Sequence, residues 1–277
     1  MSETTDEKEG LQEAPEQPEP PRVRNGSSAR KVTLPADADL ERLVHETSTE
    51  ILTAVAADPR LSEDLALAML NRRDLARETL EALSKNARLA RQRKVRLALV
   101  THPKTPRHVS VPAIRNIYTF ELMQIALLAA VPPDVKHAAE EVLIGRVKTI
   151  ASGERLTLAK QGTGRIAAAL LLDKEERIMQ AALGNPRMTE VWIVKALKAE
   201  NGTELLAPAV SRHEKWAFRN EIKAALLGNK HTPAARMIQL AGELPVNLLK
   251  DVLRGGRLSP QAKNSLSAVL EKRAARV

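Results

Sequence analysis

The stretch GNPRMTEVWI, residues 184–193, has a near-copy upstream, ADPRLSEDLA, at residues 57–66. From Asp58 and from Asn185 six positions run in parallel, D-P-R-L-S-E against N-P-R-M-T-E. A residue before proline is pushed out of the α region, so Asp58 and Asn185 should each end a helix. Leu61 and Met188 then turn an apolar side chain back towards a core. Ser62 and Thr189 are N-cap types, and Glu63 and Glu190 fall in a first turn, where the helix dipole favours a carboxylate. The phrase reads as a corner between two helices.

Variants of the corner recur. HPKTP ends at Pro106, NKHTP at Pro233 and GRLSP at Pro260, and each places Thr or Ser as an N-cap with Pro at the first helical position. Corners aligned at Asp58, His102, Asn185, Asn229 and Gly256 are spaced 44, 83, 44 and 27 residues apart, and a degenerate copy near Gln161 splits the 83. Around them the apolar period is helical. Leu40, Leu43, Val44, Ile51, Leu52 and Val55 share one face, and residues 134–151 repeat the pattern; no comparable run alternates with period two. About a dozen short helices and no sheet are expected. A corner repeated at irregular multiples of roughly 20–45 residues is what stacked helical repeats produce.

Composition points the same way. Aromatic residues are 2% of the chain, Ala, Leu, Glu, Lys and Arg dominate, and cysteine is absent. Without cysteine there is no disulfide, no thiolate nucleophile and no thiolate zinc site. Residues 1–21 hold seven acidic residues and one Lys, so residues 22–277 hold 42 basic against 27 acidic, a net +15. Residues 1–37, with EAPEQPEPP, read as a disordered acidic tail that solubilises or folds back loosely on the basic body. Residues 38–277 read as the helical-repeat domain. The acidic start is not a secretory signal and no apolar run spans a membrane, so a cytoplasmic setting is expected.

LALVTHPKTP, AALGNPRMTE and AALLGNKHTP resemble the variant leucine-rich repeat of bacteria, which carries an apolar lead-in, an Asn-Pro-type turn and a Thr-Pro cap. More widely, KWAFRNEIKAALLGN (215–229) resembles HEAT-like and armadillo-type α-solenoids. The likeness covers residues 40–272, with a less regular period and no cysteine cluster. It implies an all-α, right-handed superhelix of stacked short helices, in a class whose members are mostly non-catalytic binding scaffolds. A nucleic-acid-binding protein contacting phosphates is the alternative. A HEAT-like DNA-repair glycosylase is a distant third, in which Trp216, Glu214 and Arg219 would loosely imitate that family's aromatics and carboxylate.

The strongest chemical signal is charge. No acidic residue lies between Glu81 and Glu121, a window that includes Lys85, Arg88, Arg91, Arg93, Lys94, Arg96, Lys104 and Arg107. Leu89, Val95 and Leu97 are interleaved for packing, so the segment reads as a folded basic ridge rather than a loose tail. Its expected partner is an acidic protein or a nucleic-acid backbone. The bland alternative is a solvated surface neutralised by acids of adjacent repeats. Scarce aromatics speak against single-strand binding, which relies on stacking platforms, whereas duplex phosphates need only spaced cations. The six histidines form no i, i+4 pair, and KQGTGR (160–165) follows a helical pattern and reads as an inter-helix turn rather than a phosphate loop. No catalytic residue, metal site or cofactor is expected, and Trp192 reads as core packing.

Overall fold

A computed structural model of the chain describes residues 33–200, 202–255 and 258–275. Residues 1–32 of the expected acidic tail, and the corner at Gly256, lie outside the described residues. Among the described residues there is no strand, and seventeen α-helices follow one another. They are α1 Leu40–Leu43, α2 Thr49–Ala57, α3 Glu63–Leu70, α4 Arg77–Lys85, α5 Arg93–Thr101, α6 Arg107–Ile114, α7 Thr119–Leu127, α8 Pro133–Arg146, α9 Ser152–Gln161, α10 Gly164–Leu170, α11 Glu176–Leu183, α12 Glu190–Leu197, α13 Leu206–Arg212, α14 Asn220–Leu227, α15 Ala234–Glu243, α16 Val246–Arg254 and α17 Pro260–Ala274. A 3-10 turn, Leu89–Arg91, separates α4 from α5. The chain is cut more finely than expected. The apolar face from Leu40 to Val55 belongs to two helices, because the chain turns after Val44 and Ser48 opens α2.

The corner reading holds in most of its detail. Pro59, Pro103 and Pro186 all lie in inter-helix turns, and Leu61 and Met188 are buried. Ser62 accepts from the Leu65 N–H at 3.3 Å, and Ser259 accepts from the Ala262 N–H at 3.2 Å with Pro260 opening α17. Thr189 is an N-cap by position but makes no side-chain cap bond. The two Thr-Pro corners differ from expectation. There the N-caps are Pro106 and Pro233, one residue later. The Thr105 and Thr232 hydroxyls instead donate backwards, to the Leu99 and Leu226 carbonyls, each at 2.6 Å. Those carbonyls lie in the last turn of the preceding helix, where four acceptors lack a partner.

The two groups of corners belong to one repeated unit. Thr49, Glu63, Arg93, Arg107, Thr119 and Pro133 open α2, α3, α5, α6, α7 and α8; Glu176, Glu190, Asn220, Ala234, Val246 and Pro260 open α11, α12, α14, α15, α16 and α17, each 127 residues later. The buried positions keep the same register: Leu61 with Met188, Val95 with Ile222, Leu99 with Leu226, Leu122 with Leu249. The helices α9 and α10 join the two copies and have no counterpart. The KQGTGR segment spans the turn between them, which is cut to Gly162 and Thr163: Lys160 and Gln161 end α9, and Gly164 and Arg165 open α10. A Cβ at Gly164 would meet the Arg187 carbonyl at 2.4 Å, so the next corner packs against bare backbone there.

Among the described residues the substantial helix contacts are local. The helices that pack most closely are neighbours or next-but-one, as α2 with α4, α3 with α5, α9 with α11 and α12 with α14. Corner side chains tie each layer to the one before it. Asn86 donates to the carbonyls of Ala56 (3.2 Å) and Asp58 (3.0 Å), Asn185 to those of Ala159 (2.7 Å) and Gly162 (3.2 Å), and Asn229 to that of Leu197 (2.6 Å). His102 accepts the Lys104 N–H on Nδ1, which leaves the proton on Nε2 to donate to the Arg72 carbonyl at 2.9 Å. Arg146 and Arg273, again 127 apart, donate to the Ile117 and Leu244 carbonyls at 2.7 Å each. Helix ends that a short helix leaves open are thereby closed by the following layer. The core forms two clusters that divide between Leu99 and Val100, near the C-terminal end of α5.

Candidate anion-binding face

The acid-free window folds into α4, the 3-10 turn, α5, α6 and the turn leading to α7, beside the division between the two core clusters. Leu89, Val95, Leu99 and Val100 are buried and hold the segment down, so its cations belong to an ordered surface. Lys85, Arg88, Arg91, Arg93, Lys94, Lys104 and Arg107 are exposed; Arg96 is half-buried. The Arg96 guanidinium donates to the carbonyls of Ala90 (3.1 Å), Arg91 (3.3 Å) and Asn116 (3.2 Å). It is a clamp that fixes the 3-10 turn to the turn before α7.

Neighbouring acids neutralise part of the ridge. Arg93 pairs with Glu121 at 2.7 Å, Arg107 with Asp134 at 3.5 Å, and Glu81 stands between Lys85 (3.8 Å) and His108 (3.4 Å). Arg88 reaches the Pro59 carbonyl at 3.4 Å. The side chains of Arg91 and Lys94 have no such partner among the described residues. Two grooves flank α6. One, of about 840 Å³, lies against Arg77, Glu81, Lys104, Arg107 and His108. The other, of about 450 Å³, lies against Lys85, Arg96, His108 and Asn116. His108 and Pro112 line both.

The face is electrostatically unfavourable to its own helices. α5 begins Arg93-Lys94 and α6 begins Arg107-His108, with no acidic residue in either first turn. Cations there oppose the helix dipole, a cost of about 0.3–1 kcal/mol each at an exposed end. Ten of the seventeen described helices carry an acid in the first turn; α3 opens Glu63-Asp64 and α7 carries Glu121.

Sequence reasoning missed the surface role of two aromatics in the same window. Tyr118 is 62% exposed and Phe120 43% exposed, and the Arg93 guanidinium lies 4.5 Å from the Tyr118 ring centre. Their place inside the acid-free window was the available signal. The other groups singled out in the sequence lie elsewhere. Trp216 is 3% exposed and its indole N–H donates to the Leu183 carbonyl at 3.0 Å, so its ring is a core element with Lys215 over one face. Trp192 is half-buried and packs against the core. Arg165 pairs with Glu140 and Glu141. His213 titrates below its ordinary range because burial disfavours the imidazolium. Among the described residues no group of three or more His, Asp or Glu side chains is placed to hold a metal ion, and no helix is long and apolar enough to cross a membrane. In comparisons with known proteins, no family model, no curated protein and no solved structure matches the chain.

Proposed function

We propose that the chain is a non-catalytic helical-repeat scaffold, an α-solenoid of the HEAT-like or variant leucine-rich-repeat kind, that binds polyanionic partners through the basic face of α4–α6. The repeat reading is supported by the 127-residue register and by helix packing confined to near neighbours. The anion reading rests on one observation above others. The second copy has Glu221 in the first turn of α14 where the first copy has Lys94 in α5, so the unfavourable charge is not a requirement of the fold. Unpaired cations at a helix start are relieved when an anion covers them.

The test is a salt titration with full-length protein and three labelled polyanions: polyglutamate, mixed-sequence duplex DNA and single-stranded oligonucleotide. Wild type should bind at low ionic strength and weaken steeply with salt, with a log–log slope of about −0.9 per phosphate neutralised on duplex and about −0.7 on single strands. Changing Arg88, Arg91, Lys94 and Lys104 together to Glu should abolish binding while circular dichroism and thermal midpoint stay near wild type. Arg96 is left intact because it holds the fold. Absence of binding to all three probes at low salt overturns the reading.

A further inference from the structure

The Arg96 clamp brings the exposed cations and the exposed rings to one edge. Its guanidinium holds the Arg91 carbonyl and the Asn116 carbonyl together, which sets the 3-10 turn and the start of α5 beside the start of α7. Arg93 lies over the Tyr118 ring at that edge; Arg91 and Lys94 are its exposed neighbours in sequence, and Phe120 is exposed two residues beyond Tyr118. We propose that this edge is a stacking platform for single-stranded nucleic acid. The proposal rests on the polyanion reading above and names its ligand.

Tyr118 is fixed from two directions. Its backbone N–H donates to Glu121 at 3.3 Å, and Glu121 also holds Arg93 at 2.7 Å, whose guanidinium lies over the ring. One part of the ring is thus covered by a cation and the rest is open to solvent. The guanidinium takes one face of the ring and is itself 63% exposed, open to a phosphate, while the remaining ring surface is left for a base to stack on. Among the described residues the acid in contact with this edge is Glu121, whose side chain is 13% exposed and engaged by Arg93. A duplex keeps its base faces stacked inside and offers nothing to the rings. A carboxylate-rich peptide would meet the cations but present negative charge to the negative faces of the rings. Unpaired bases satisfy both halves of the edge. The second copy lacks the combination: Pro245 and Asn247 replace Tyr118 and Phe120, and Asn220 and Glu221 replace Arg93 and Lys94.

The experiment compares wild type, Tyr118→Ala/Phe120→Ala and the conservative Tyr118→Phe/Phe120→Tyr, all full length. Binding is read by fluorescence anisotropy with labelled oligothymidylate, oligouridylate, a duplex of equal length and polyglutamate. Loss of both rings should weaken single-strand binding about ten- to a hundred-fold. Duplex and polyglutamate affinity should shift by less than about two-fold, since the cations remain, and the conservative variant should bind single strands as wild type does. The oligothymidylate and oligouridylate arms separate DNA from RNA as the source of the strand. Unchanged single-strand affinity in the ring-less variant overturns the platform. Binding to polyglutamate or duplex without binding to single strands also overturns it, yet leaves the polyanion reading standing. Failure of every probe overturns both.

Discussion

The two copies, α2–α8 and α11–α17, share six of their seven helix starts and many buried positions but diverge on the face that α5 and α14 present. The window 82–120 is free of acid; its counterpart, 209–247, carries Glu214, Glu221 and Glu243. The divergence is clearest at one post. Arg96 and Lys223 are equivalent positions, as are Asn116 and Glu243. In the first copy a guanidinium reaches the Asn116 backbone; in the second a nearly buried ammonium pairs with the Glu243 carboxylate at 2.7 Å. The mechanical task is the same, to tie a helix to the turn before the next. The charge outcome differs, because the second copy neutralises its cation locally and the first leaves the exposed cations around Arg96 partly uncompensated. Shared positions therefore report on the fold, and divergent ones on what each face meets.

The strongest way to break the comparison is at the corner that gave the fold away. Asn185 is 2% exposed, donates to two carbonyls of the preceding layer and accepts the Arg187 N–H at 2.7 Å. Asp58 occupies the equivalent place but has no amide to donate; among the described residues its carboxylate accepts from Arg60 alone. Asn185→Ala should cost about 2–3 kcal/mol, since it orphans buried carbonyls, and Asp58→Ala about 0.5–1 kcal/mol. Urea denaturation of both variants checks this. Equal costs would show that the two corners do the same work.

Next comes the charged post. Glu243→Gln leaves the Lys223 ammonium without its carboxylate, at a cost of about 1–2 kcal/mol, reduced because the Glu243 side chain is 37% exposed. The carboxyl is held below its ordinary range, chiefly by the hydrogen bond from Lys223. The folded state therefore binds fewer protons than the unfolded chain. The stability from this pair is present above the ordinary glutamate pKa and is lost as pH falls through the lowered folded value. The gap in urea midpoint between wild type and Glu243→Gln should be open at neutral pH and close in acid. A gap independent of pH sinks the assignment.

The smallest effect sharpens the likeness instead. Thr105→Val and Thr232→Val each remove a hydroxyl that closes the preceding helix, and each should cost about 1 kcal/mol. Thermal midpoints that fall by similar amounts support one shared role. A fall in only one variant shows that the copies have parted at this corner too.

Much of this architecture was legible in the letters. Helix-forming composition, the pre-proline stops at Asp58 and Asn185 and the serine caps Ser62 and Ser259 act within one or two turns of chain, so sequence alone specifies them. The 127-residue register was present in the pairs Asp58–Asn185 and His102–Asn229 and in identities such as Leu99–Leu226, Thr105–Thr232 and Pro133–Pro260, but these matches are scattered among unlike residues. Burial tolerates exchanges such as Leu89 for Trp216, which hide the copy while preserving its apolar face. Thr105 and Thr232 were legible as corner residues but not in their direction of bonding. Whether a hydroxyl caps the next helix or closes the last one depends on where the following proline settles.

The candidate site divides along the same line. Sequence alone determined that a stretch without acid carries many cations on a segment with its own apolar anchors. Only the tertiary structure decided which cations are available. Glu121 and Asp134 come from two helices further along to neutralise Arg93 and Arg107, the Arg96 guanidinium turns inward to three carbonyls, and among the described residues the Arg91 and Lys94 side chains have no partner. The exposure of Tyr118 and Phe120 was likewise outside the reach of local patterning. An aromatic residue at a helix start packs inward or stands in solvent according to what the neighbouring layer places beside it, and here that layer supplies a guanidinium rather than an apolar pocket.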